Sequence, residues 1–383
     1  MIMHFQLSTE SEMMREMYRK FAENEVLPLA GEIDRAHEFP MQTFKRMAEL
    51  GLTGIPISQA WGGAGGSYLD FAIFIEELAK VCASTAVIMS VHTGLGCMSI
   101  ELYGTERLKQ KYLKSLATGE IIGAYALTEV TAGSDAGSIK CTAEDKGDYF
   151  LLNGSKIFIT NAGVATTYCT FVKTDPTQKS GKGITCLIVE KDTPGFTIGK
   201  PIVKMGMNAS PTCELYFDNC KVPKENVLGE INDGFKIAMG LLAGGRITIG
   251  AQGLGIGEGA LAYTKKYIKE REQFGKPLSA NQGLQFMVAD MATELDAAQL
   301  LVYRAAWLKD QGLPHNIEAS MAKRYATDVG MKVCTDCVQL MGGNGYCNAY
   351  PIERMMRDVK ITQIYEGANQ IQRMIIGRGV LAK

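Results

Sequence analysis

The spacing of apolar residues changes twice along the chain. From residue 8 to about residue 117, apolar side chains recur every three or four positions, which predicts amphipathic helices. Between about residues 121 and 223 the apolar runs are short, rich in β-branched and aromatic residues, and separated by Gly, Asn, Asp or Pro, which predicts strands. Helical spacing returns near residues 234–271, 281–311, 316–341 and 351–381.

This order predicts an α+β protein with several domains. A chain of 383 residues is too long for one ordinary core. We expect an all-α N-terminal domain over residues 1–120, and a middle domain over residues 121–228 that forms an antiparallel β-barrel or sandwich. A C-terminal four-helix bundle is expected over residues 229–383.

The balance of charge narrows the class of partner. Lys and Arg number 40 against 41 for Asp and Glu, so bulk charge favours neither nucleic acid nor an anionic membrane. No apolar run approaches the roughly 18 residues needed to cross a bilayer, so we expect a soluble protein. Residues 1–17 resemble neither a secretory signal nor an Arg-rich transit peptide. With Met1, this favours a bacterial-type cytoplasm over a mitochondrial matrix.

Cysteines and histidines give no strong sign of metal or redox chemistry. The ten cysteines are scattered, which is typical of reduced thiols in a cytosol-like compartment. Cys334 and Cys337 form one Cys-x-x-Cys within a helical pattern, and two buried thiols are favoured over a redox or zinc pair. The four histidines lack ligand spacing, so no metal is expected.

Two glycine-rich stretches have features in common with nucleotide-binding motifs. The glycines of residues 253–259 occur at every second position in a helical region, which is not the G-x-G-x-x-G spacing of a Rossmann fold. Close helix packing explains them better. The glycines of residues 62–66 predict a turn, because no Lys-Ser/Thr follows them.

Residues 357–373 carry the most suggestive single carboxylate. Glu366 lies between Tyr365 and Gly367, and amide side chains follow it. A carboxylate held in such a place can act as a general base. The alternative is a solvated acid in an ordinary turn between two helices, and this stretch alone does not decide between the two.

Seven short motifs, taken in order, carry a resemblance. Together they resemble the acyl-CoA dehydrogenase family, and the match runs from the first helix to the last in the family's order. The motifs lie at residues 125–129, 132–135, 152–161, 244–246, 271–275, 339–346 and 364–367.

The resemblance implies a flavoenzyme that introduces a trans α,β double bond into an acyl-CoA thioester. Glu366 would abstract the α-proton, the β-hydrogen would pass as hydride to FAD, and an electron-transferring flavoprotein would accept the electrons. Some cofactor contacts would come from a neighbouring subunit, since the family is usually a homotetramer. The implied cofactor-binding residues are Tyr125, Ala126, Leu127, Thr128, Ser134, Phe158, Ile159, Thr160, Arg271, Phe274, Gln282, Gln339, Gly342, Gly343, Ala368 and Gln370. The implied substrate-binding residues are Ser134, Ala243, Arg246, Gly367, Tyr365, Val91, His92 and Leu95. For His92, an ordinary histidine at the end of a helix is the favoured alternative.

Departures from the family pattern bear on the substrate. Ala86 stands where glutaryl-type relatives place an arginine, and Gly245 stands where isovaleryl-type relatives place their base. The pattern is closest to short-chain, butyryl-like bacterial members. Ala243, Asn208 and the segment 368–370 also depart from the common pattern. A branched or cyclic substrate, enoyl-CoA reduction, and a non-catalytic acyl-CoA or flavin scaffold are therefore the alternatives.

Overall fold

A computed structural model describes residues 6–179 and 181–382 of the chain. Met1 and His4, which entered the sequence interpretation, lie outside these residues. The first part is helical, as predicted, and short π-helical segments extend three of its helices. Its α-helices are α1 (Thr9–Phe21), α2 (Ala30–Ala36), α3 (Met41–Glu49), α4 (Tyr68–Ala79), α5 (Ala83–Val91), α6 (Met98–Tyr103), α7 (Glu106–Leu108) and α8 (Lys114–Ala117).

Side-chain caps explain where two of these helices begin. Ser8 accepts a hydrogen bond from the backbone N–H of Ser11 and so caps α1. Ser67 and Asp70 form a reciprocal capping box at the start of α4. A cap of this kind satisfies backbone donors that the first helical turn leaves without partners.

The expectation about apolar runs was wrong for one stretch. Ala83–Tyr103 is long and apolar enough to cross a membrane by length and composition. Its apolar 18-residue window is completely buried within the described protein, although Leu102 near the end of the stretch is 50% exposed. A core helix of this kind passes the same test as a membrane span.

One eight-stranded sheet forms the middle part. Its strand order is β6-β7-β3-β2-β4-β5-β8, and β1 pairs with β4 beside this path. The pairings are antiparallel, as predicted, except those of β1 and β2 with β4. Strands β1 (Gly123–Ala126), β2, β6 and β8 are short and were not recognised from the sequence. The others are β2 (Thr142–Asp145), β3 (Tyr149–Thr160), β4 (Thr167–Lys173), β5 (Ile184–Glu190), β6 (Phe196–Ile198), β7 (Thr212–Pro223) and β8 (Val227–Leu228).

Long helices return in the last part, and the fourth predicted run is divided in two. The hairpin formed by β9 (Glu272–Gln273) and β10 (Lys276–Pro277) separates the first two long helices. Residues 363–368 break the last run, which places Glu366 between two helices. The helices are α9 (Gly234–Glu270), α10 (Gln282–Asp310), α11 (Asn316–Met341), α12 (Gly343–Tyr346), α13 (Ile352–Thr362) and α14 (Asn369–Leu381).

Close helix packing explains the glycines of α9, as predicted. A methyl group added at Gly255 or Gly259 would overlap backbone atoms of α4 or of Lys80, which follows it. One added at Gly253 would lie 2.9 Å from the side chain of Thr327 on α11. Cys334 and Cys337 are both buried on α11, which confirms their interpretation as helix-face thiols.

Candidate active site

The turn that carries Glu366 has an unusual backbone. Glu366 adopts a φ of +53° and Gly367 a φ of +92°, so two consecutive residues lie in the left-handed region. Glycine tolerates this conformation, whereas for glutamate it costs about 1–2 kcal/mol. Contacts elsewhere must therefore hold the turn in place.

This conformation directs the Glu366 carboxylate inward. Its Oε2 atom is buried and has no hydrogen-bond partner within the described chain. A methyl group added at Gly245 of α9 would overlap this oxygen. The sequence left open a solvated acid in a helix-to-helix turn; the turn is present, but the carboxylate is buried against α9.

Burial sets the protonation of this carboxylate. Desolvation raises the pKa of Glu366 from its usual 4.5 to about 7, while the positive charges of Arg246 and Lys323 act to lower it. A base with this pKa is ionised in a useful fraction at neutral pH and still has a high proton affinity. The arrangement is typical of a general base or acid.

Three tyrosines from different elements lie near the carboxylate. Tyr125 is on β1, Tyr365 precedes Glu366, and Tyr68 begins α4. Burial raises the pKa of each hydroxyl, and the charge of Glu366 raises it further, so all three are neutral phenols. The hydroxyls of Tyr68 and Tyr125 are buried without partners in the described chain.

Tyr68 was not recognised from the sequence. Its hydroxyl lies 2.7 Å from where a methyl group at Gly244 would be, next to the glycine that faces Glu366. It also lines a cavity of about 10 Å³, whose other walls include Gly94, Leu241 and Lys309. An aromatic residue before a predicted helix carries no local signal of such a position.

Arg246 follows Gly245 on α9 and is almost completely buried. It donates a hydrogen bond to Asn316, and its Nε has no partner among the described residues. A buried guanidinium with a free donor is an incomplete arrangement, since buried donors are almost always satisfied. The sequence-predicted Arg246 and Glu366 are thus brought close together, with Tyr365 beside them.

The predicted flavin segments meet through a buried ion pair. Lys156 of β3 contacts Glu129 at 2.7 Å and donates to the carbonyl oxygen of Leu127 at 3.1 Å. Ile157 donates to the carbonyl oxygen of Thr128 at 2.9 Å. These contacts bring the loop after β1 beside the predicted segment 158–160. Of the predicted residues here, Tyr125, Ala126, Leu127 and Ile159 are buried, Thr128 and Thr160 are half-buried, and Phe158 is exposed.

Phe158 has the features of a residue that a ligand covers. It adopts a φ of +60° at an irregularity of β3, and its side chain is 60% exposed. A large aromatic side chain presented in this way is suited to contact a flat ring system. Together with the unpaired polar atoms around Glu366, it makes the residues present fit a flavin.

A second set of predicted cofactor-binding residues lies far from Glu366 within one chain. Arg246 and Arg271 are 25 positions apart on and just beyond α9, which corresponds to about 37 Å at about 1.5 Å per residue. Phe274, on the hairpin after α9, is 100% exposed. The other exposed members of this set are Gln282, Gln339, Gly342 and Gly343.

The structure gives His92 a role different from the predicted acyl-pocket contact. Its Nδ1 accepts from the backbone N–H of Gly123 at 3.1 Å, so Nε2 is the donor to the carbonyl oxygen of Leu116 at 3.0 Å. The side chain is fully buried, which lowers the pKa of His92 to about 4. His92 is therefore a neutral structural residue that joins α8 to the start of β1.

The remaining predicted residues are scattered around the site. Val91, Leu95 and Ala243 are buried, whereas Ser134 and Gln370 are exposed. Ala368 is the residue before α14, and Gly367 directs its carbonyl oxygen at Lys323. Lys323 was missed because a lone lysine in a helix normally predicts a solvated side chain.

Comparison with known proteins relates this arrangement to one family. The models of the acyl-CoA dehydrogenase N-terminal, middle and C-terminal domains match residues 8–120, 124–220 and 232–381. The short-chain specific acyl-CoA dehydrogenase of Clostridium acetobutylicum is 52% identical over 98% of both chains. The acryloyl-CoA reductase (NADH) of Anaerotignum propionicum is 47% identical over 100% of this chain and 97% of that protein.

The fold has a close counterpart among solved structures. A chain from the structure described as the electron transferring flavoprotein of Acidaminococcus fermentans superimposes with a TM-score of 0.98 at 49% identity, covering 100% of both chains. The three-domain order, the fold and the motifs agree. This chain belongs to the acyl-CoA dehydrogenase family of FAD-dependent oxidoreductases.

Proposed function

We propose that the chain dehydrogenates a short-chain acyl-CoA to its trans-2-enoyl-CoA, and that Glu366 abstracts the α-proton. The observation that carries this proposal is the buried, unpaired Oε2 of Glu366 on the glycine surface of α9. The α-proton of a thioester is weakly acidic, so a base must be positioned for it. The Oε2 atom, which has no hydrogen-bond partner among the described residues, is available for that proton.

The reaction removes a proton from Cα and a hydride from Cβ. Glu366 would take the proton, and bound FAD would supply the acceptor for the hydride. Negative charge develops on the thioester oxygen as the Cα–H bond breaks. The backbone N–H of Glu366 would donate to that oxygen, and the charge of Arg246 on α9 favours the same anion. The neutral tyrosines exclude water from the site without adding charge.

Several features support a small acyl group. Ala86 is completely buried and has no charge to pair with a distal carboxylate, which argues against a glutaryl substrate. The side chains of Val91 and Leu95 are buried. The Clostridium relative is described as short-chain specific. We therefore propose a butyryl-like substrate, with Ser134, Ala243 and Gly367 towards the CoA and Tyr365 beside the acyl group.

The cofactor contacts extend the proposal to an oligomer. Tyr125, Thr128, Phe158 and Thr160 would hold the flavin of their own subunit. Arg271, Phe274 and the exposed residues around them would reach the pyrophosphate and adenosine of a neighbouring subunit, since they are too distant from Glu366 in their own chain. A homotetramer fits this division. The domain limits at residues 120 and 228 belong to the same proposal.

An electron-transferring flavoprotein is the proposed electron acceptor. The Acidaminococcus structure that matches this chain is described in connection with such a flavoprotein and with electron bifurcation. A cytoplasmic location of bacterial type agrees with the bacterial relatives. The acceptor is tested by following reduction of a purified electron-transferring flavoprotein with butyryl-CoA as the donor.

Glu366→Gln tests the catalytic proposal. The variant should bind FAD and lose α-proton abstraction by at least about 10³-fold, because the amide has no basic oxygen. Flavin bleaching by butyryl-CoA measures the whole half-reaction. Exchange of the α-hydrogens of acetyl-CoA with deuterium measures the proton step alone, since acetyl-CoA has no β-carbon to oxidise.

Glu294→Gln is the matched control, because Glu294 lies in an ion pair with Lys332 at the surface. It should leave both rates unchanged. Near-normal bleaching and exchange in Glu366→Gln would mean that the base is elsewhere and would overturn the proposal.

A second candidate is the same site working as an enoyl-CoA reductase. The Anaerotignum relative, described as an acryloyl-CoA reductase, favours it. Glu366 would then donate the α-proton, which its raised pKa permits. A panel of C3 to C8 acyl- and enoyl-CoAs, with linear, branched and cyclic chains, measures both directions. Faster oxidation of reduced flavin by an enoyl-CoA than bleaching by the saturated partner would support the reductase.

A further inference from the structure

Lys323 is a completely buried lysine whose ammonium faces the backbone of the Glu366 turn. Its Nζ donates to the carbonyl oxygen of Gly367 at 2.9 Å and to Oδ1 of Asn369 at 2.8 Å. It forms no ion pair with a carboxylate in residues 6–179 and 181–382. Buried lysines are rare and are usually paired with an acid, so this arrangement needs an explanation.

The contacts of Lys323 are those that hold the strained turn. The carbonyl oxygen of Gly367 accepts from Lys323 and also from Gln372 at 2.8 Å. Asn369, which Lys323 contacts from α11, donates in turn to Thr327 at 2.9 Å and Asp328 at 2.8 Å on the same helix. Helix α11 therefore holds the backbone of the turn through Lys323 and, by way of Asn369, through Thr327 and Asp328.

We propose that Lys323 is the positioning residue of Glu366. Its ammonium fixes the Glu366–Gly367 turn in the left-handed conformation that directs the carboxylate into the site, and it places a positive charge behind that carboxylate. This inference rests on the proposed role of Glu366 as the base. In this proposal Lys323 touches neither substrate nor flavin, and its replacement still changes the rate of α-proton abstraction.

The charge of Lys323 acts on the pKa of Glu366 in a buried environment. The other charged groups that face the pair are Arg246 from α9 and Asp328 from α11, with Asp358 of α13 beyond Tyr365. Burial lowers the pKa of Lys323 to about 7, and the charges of Glu366 and Asp328 act to raise it. Because the pKa of Glu366 is also about 7, the two groups titrate in the same range and each ionic form stabilises the other.

Three substitutions separate position from charge. Lys323→Met removes both the hydrogen bonds and the charge, Lys323→Gln keeps a donor without the charge, and Lys323→Arg keeps the charge. We expect α-proton exchange of acetyl-CoA to fall about 10- to 100-fold in the Met variant, because small misplacements of a base are costly. The acidic limb of the pH profile of this exchange rate reports the pKa of Glu366. In the Met variant it should move up by about one pH unit, because a positive charge near Glu366 is lost.

The Gln and Arg variants give the decisive contrast. Lys323→Gln should show the same shift of the acidic limb with a smaller loss of rate, and Lys323→Arg should restore the limb. The KM for butyryl-CoA should change little, since Lys323 does not face the substrate. Unshifted acidic limbs in both the Met and Gln variants would overturn the inference, whatever their thermal stability. If the Met variant does not fold, the Gln and Arg pair decides.

Two controls separate this inference from the proposed function. Lys332→Met removes an exposed lysine of the same helix, which pairs with Glu294 at 2.6 Å, and should change neither rate nor limb. Glu366→Gln is measured in the same exchange assay. If it retains exchange, the proposed function fails. If it loses exchange while the Lys323 variants keep the wild-type limb, the positioning role alone fails.

Discussion

The middle domain and the C-terminal domain each bury a lysine and a glutamate, in opposite arrangements. Lys156 and Glu129 bind each other at 2.7 Å, and Glu129 also accepts from the backbone N–H groups of Lys140 and Cys141. Lys323 instead binds the backbone of the turn, and Oε2 of Glu366 has no hydrogen-bond partner in the part of the chain that the structure describes. The same two residue types therefore give two arrangements. In the closed pair, Lys156 and Glu129 bind each other; in the open arrangement, Lys323 and Glu366 do not.

The difference separates a structural acid from a reactive one. Glu129 has its charge satisfied by a cation and two backbone donors, so it holds the loop after β1 to β3. Glu366 is buried without that compensation, so its affinity for a proton is raised. The positive charges of Arg246 and Lys323 act to lower its pKa, but neither side chain forms an ion pair with it among the described residues.

Breaking the closed pair should have the largest effect on stability. Lys156→Met leaves Glu129 buried without its cation and should lower the free energy of unfolding by about 3–5 kcal/mol. FAD content should fall as well, because the pair anchors the loop after β1, which we propose contacts the flavin. Thermal denaturation of the purified protein measures the first effect, and flavin absorbance measures the second.

The matched control is Lys224→Met at an exposed pair of the same length. Lys224 and Asp145 are 2.7 Å apart, with side chains 40% and 48% exposed, and such pairs contribute about 0–1 kcal/mol. Equal losses of stability at Lys156 and Lys224 would contradict the distinction between the two regions.

Replacing each glutamate by glutamine should change stability in opposite directions. The folded pKa of Glu366, about 7, lies above its usual 4.5, so its contribution to stability is complete below about pH 4.5 and is lost as the pH rises through 7. At pH 8, Glu366→Gln should therefore be more stable than the wild type, by at most about 3 kcal/mol, and the gain should be mostly lost at pH 5. Glu129→Gln should be less stable at pH 8.

Thermal midpoints at pH 5 and pH 8, measured without substrate, test both variants. If the effect of Glu366→Gln on the thermal midpoint does not depend on pH, burial does not destabilise the ionised carboxylate of Glu366. A stabilising Glu129→Gln would show that the pair of the middle domain is not the satisfied one.

The smallest expected effect comes from making the open arrangement resemble the closed one. Asn369→Asp gives Lys323 a carboxylate partner at the position of the present Oδ1, 2.8 Å from Nζ. The added negative charge should raise the pKa of Glu366, so the acidic limb of flavin reduction should move up by about one pH unit or less. Asn219→Asp, at an exposed position of β7, is the control. An acidic limb that moves down in Asn369→Asp would contradict the charge argument.

The departures from the family pattern acquire a physical meaning in this comparison. Ala368 and Gln370 were expected to contact the cofactor, and between them Asn369 is buried and links the turn to α11. Gly245 was expected to leave the role of base to Glu366, and the structure shows that any side chain there would occupy the space of the Glu366 carboxylate. Neither contact has a signal in the local sequence.

The sequence by itself determined the helix, strand, helix order, the place of most long elements, and the family. These follow from apolar periodicity, turn residues and short motifs, which depend on neighbours a few positions away. It missed the short strands β1, β2, β6 and β8, the division of the last helix, and the membrane-like hydropathy of the buried stretch Ala83–Tyr103. Short strands are defined by their pairing partners, which lie elsewhere in the chain.

Only the tertiary structure decided which way Glu366 points and what surrounds it. The turn, the glycine that makes room for the carboxylate and the lysine that holds the turn come from three distant segments: residues 366–367, Gly245 and Lys323. A pKa is set by burial and by charges in space, and neither can be read from adjacent residues. The sequence named the carboxylate, and the packing of α9, α11 and the turn gave it the environment of a base.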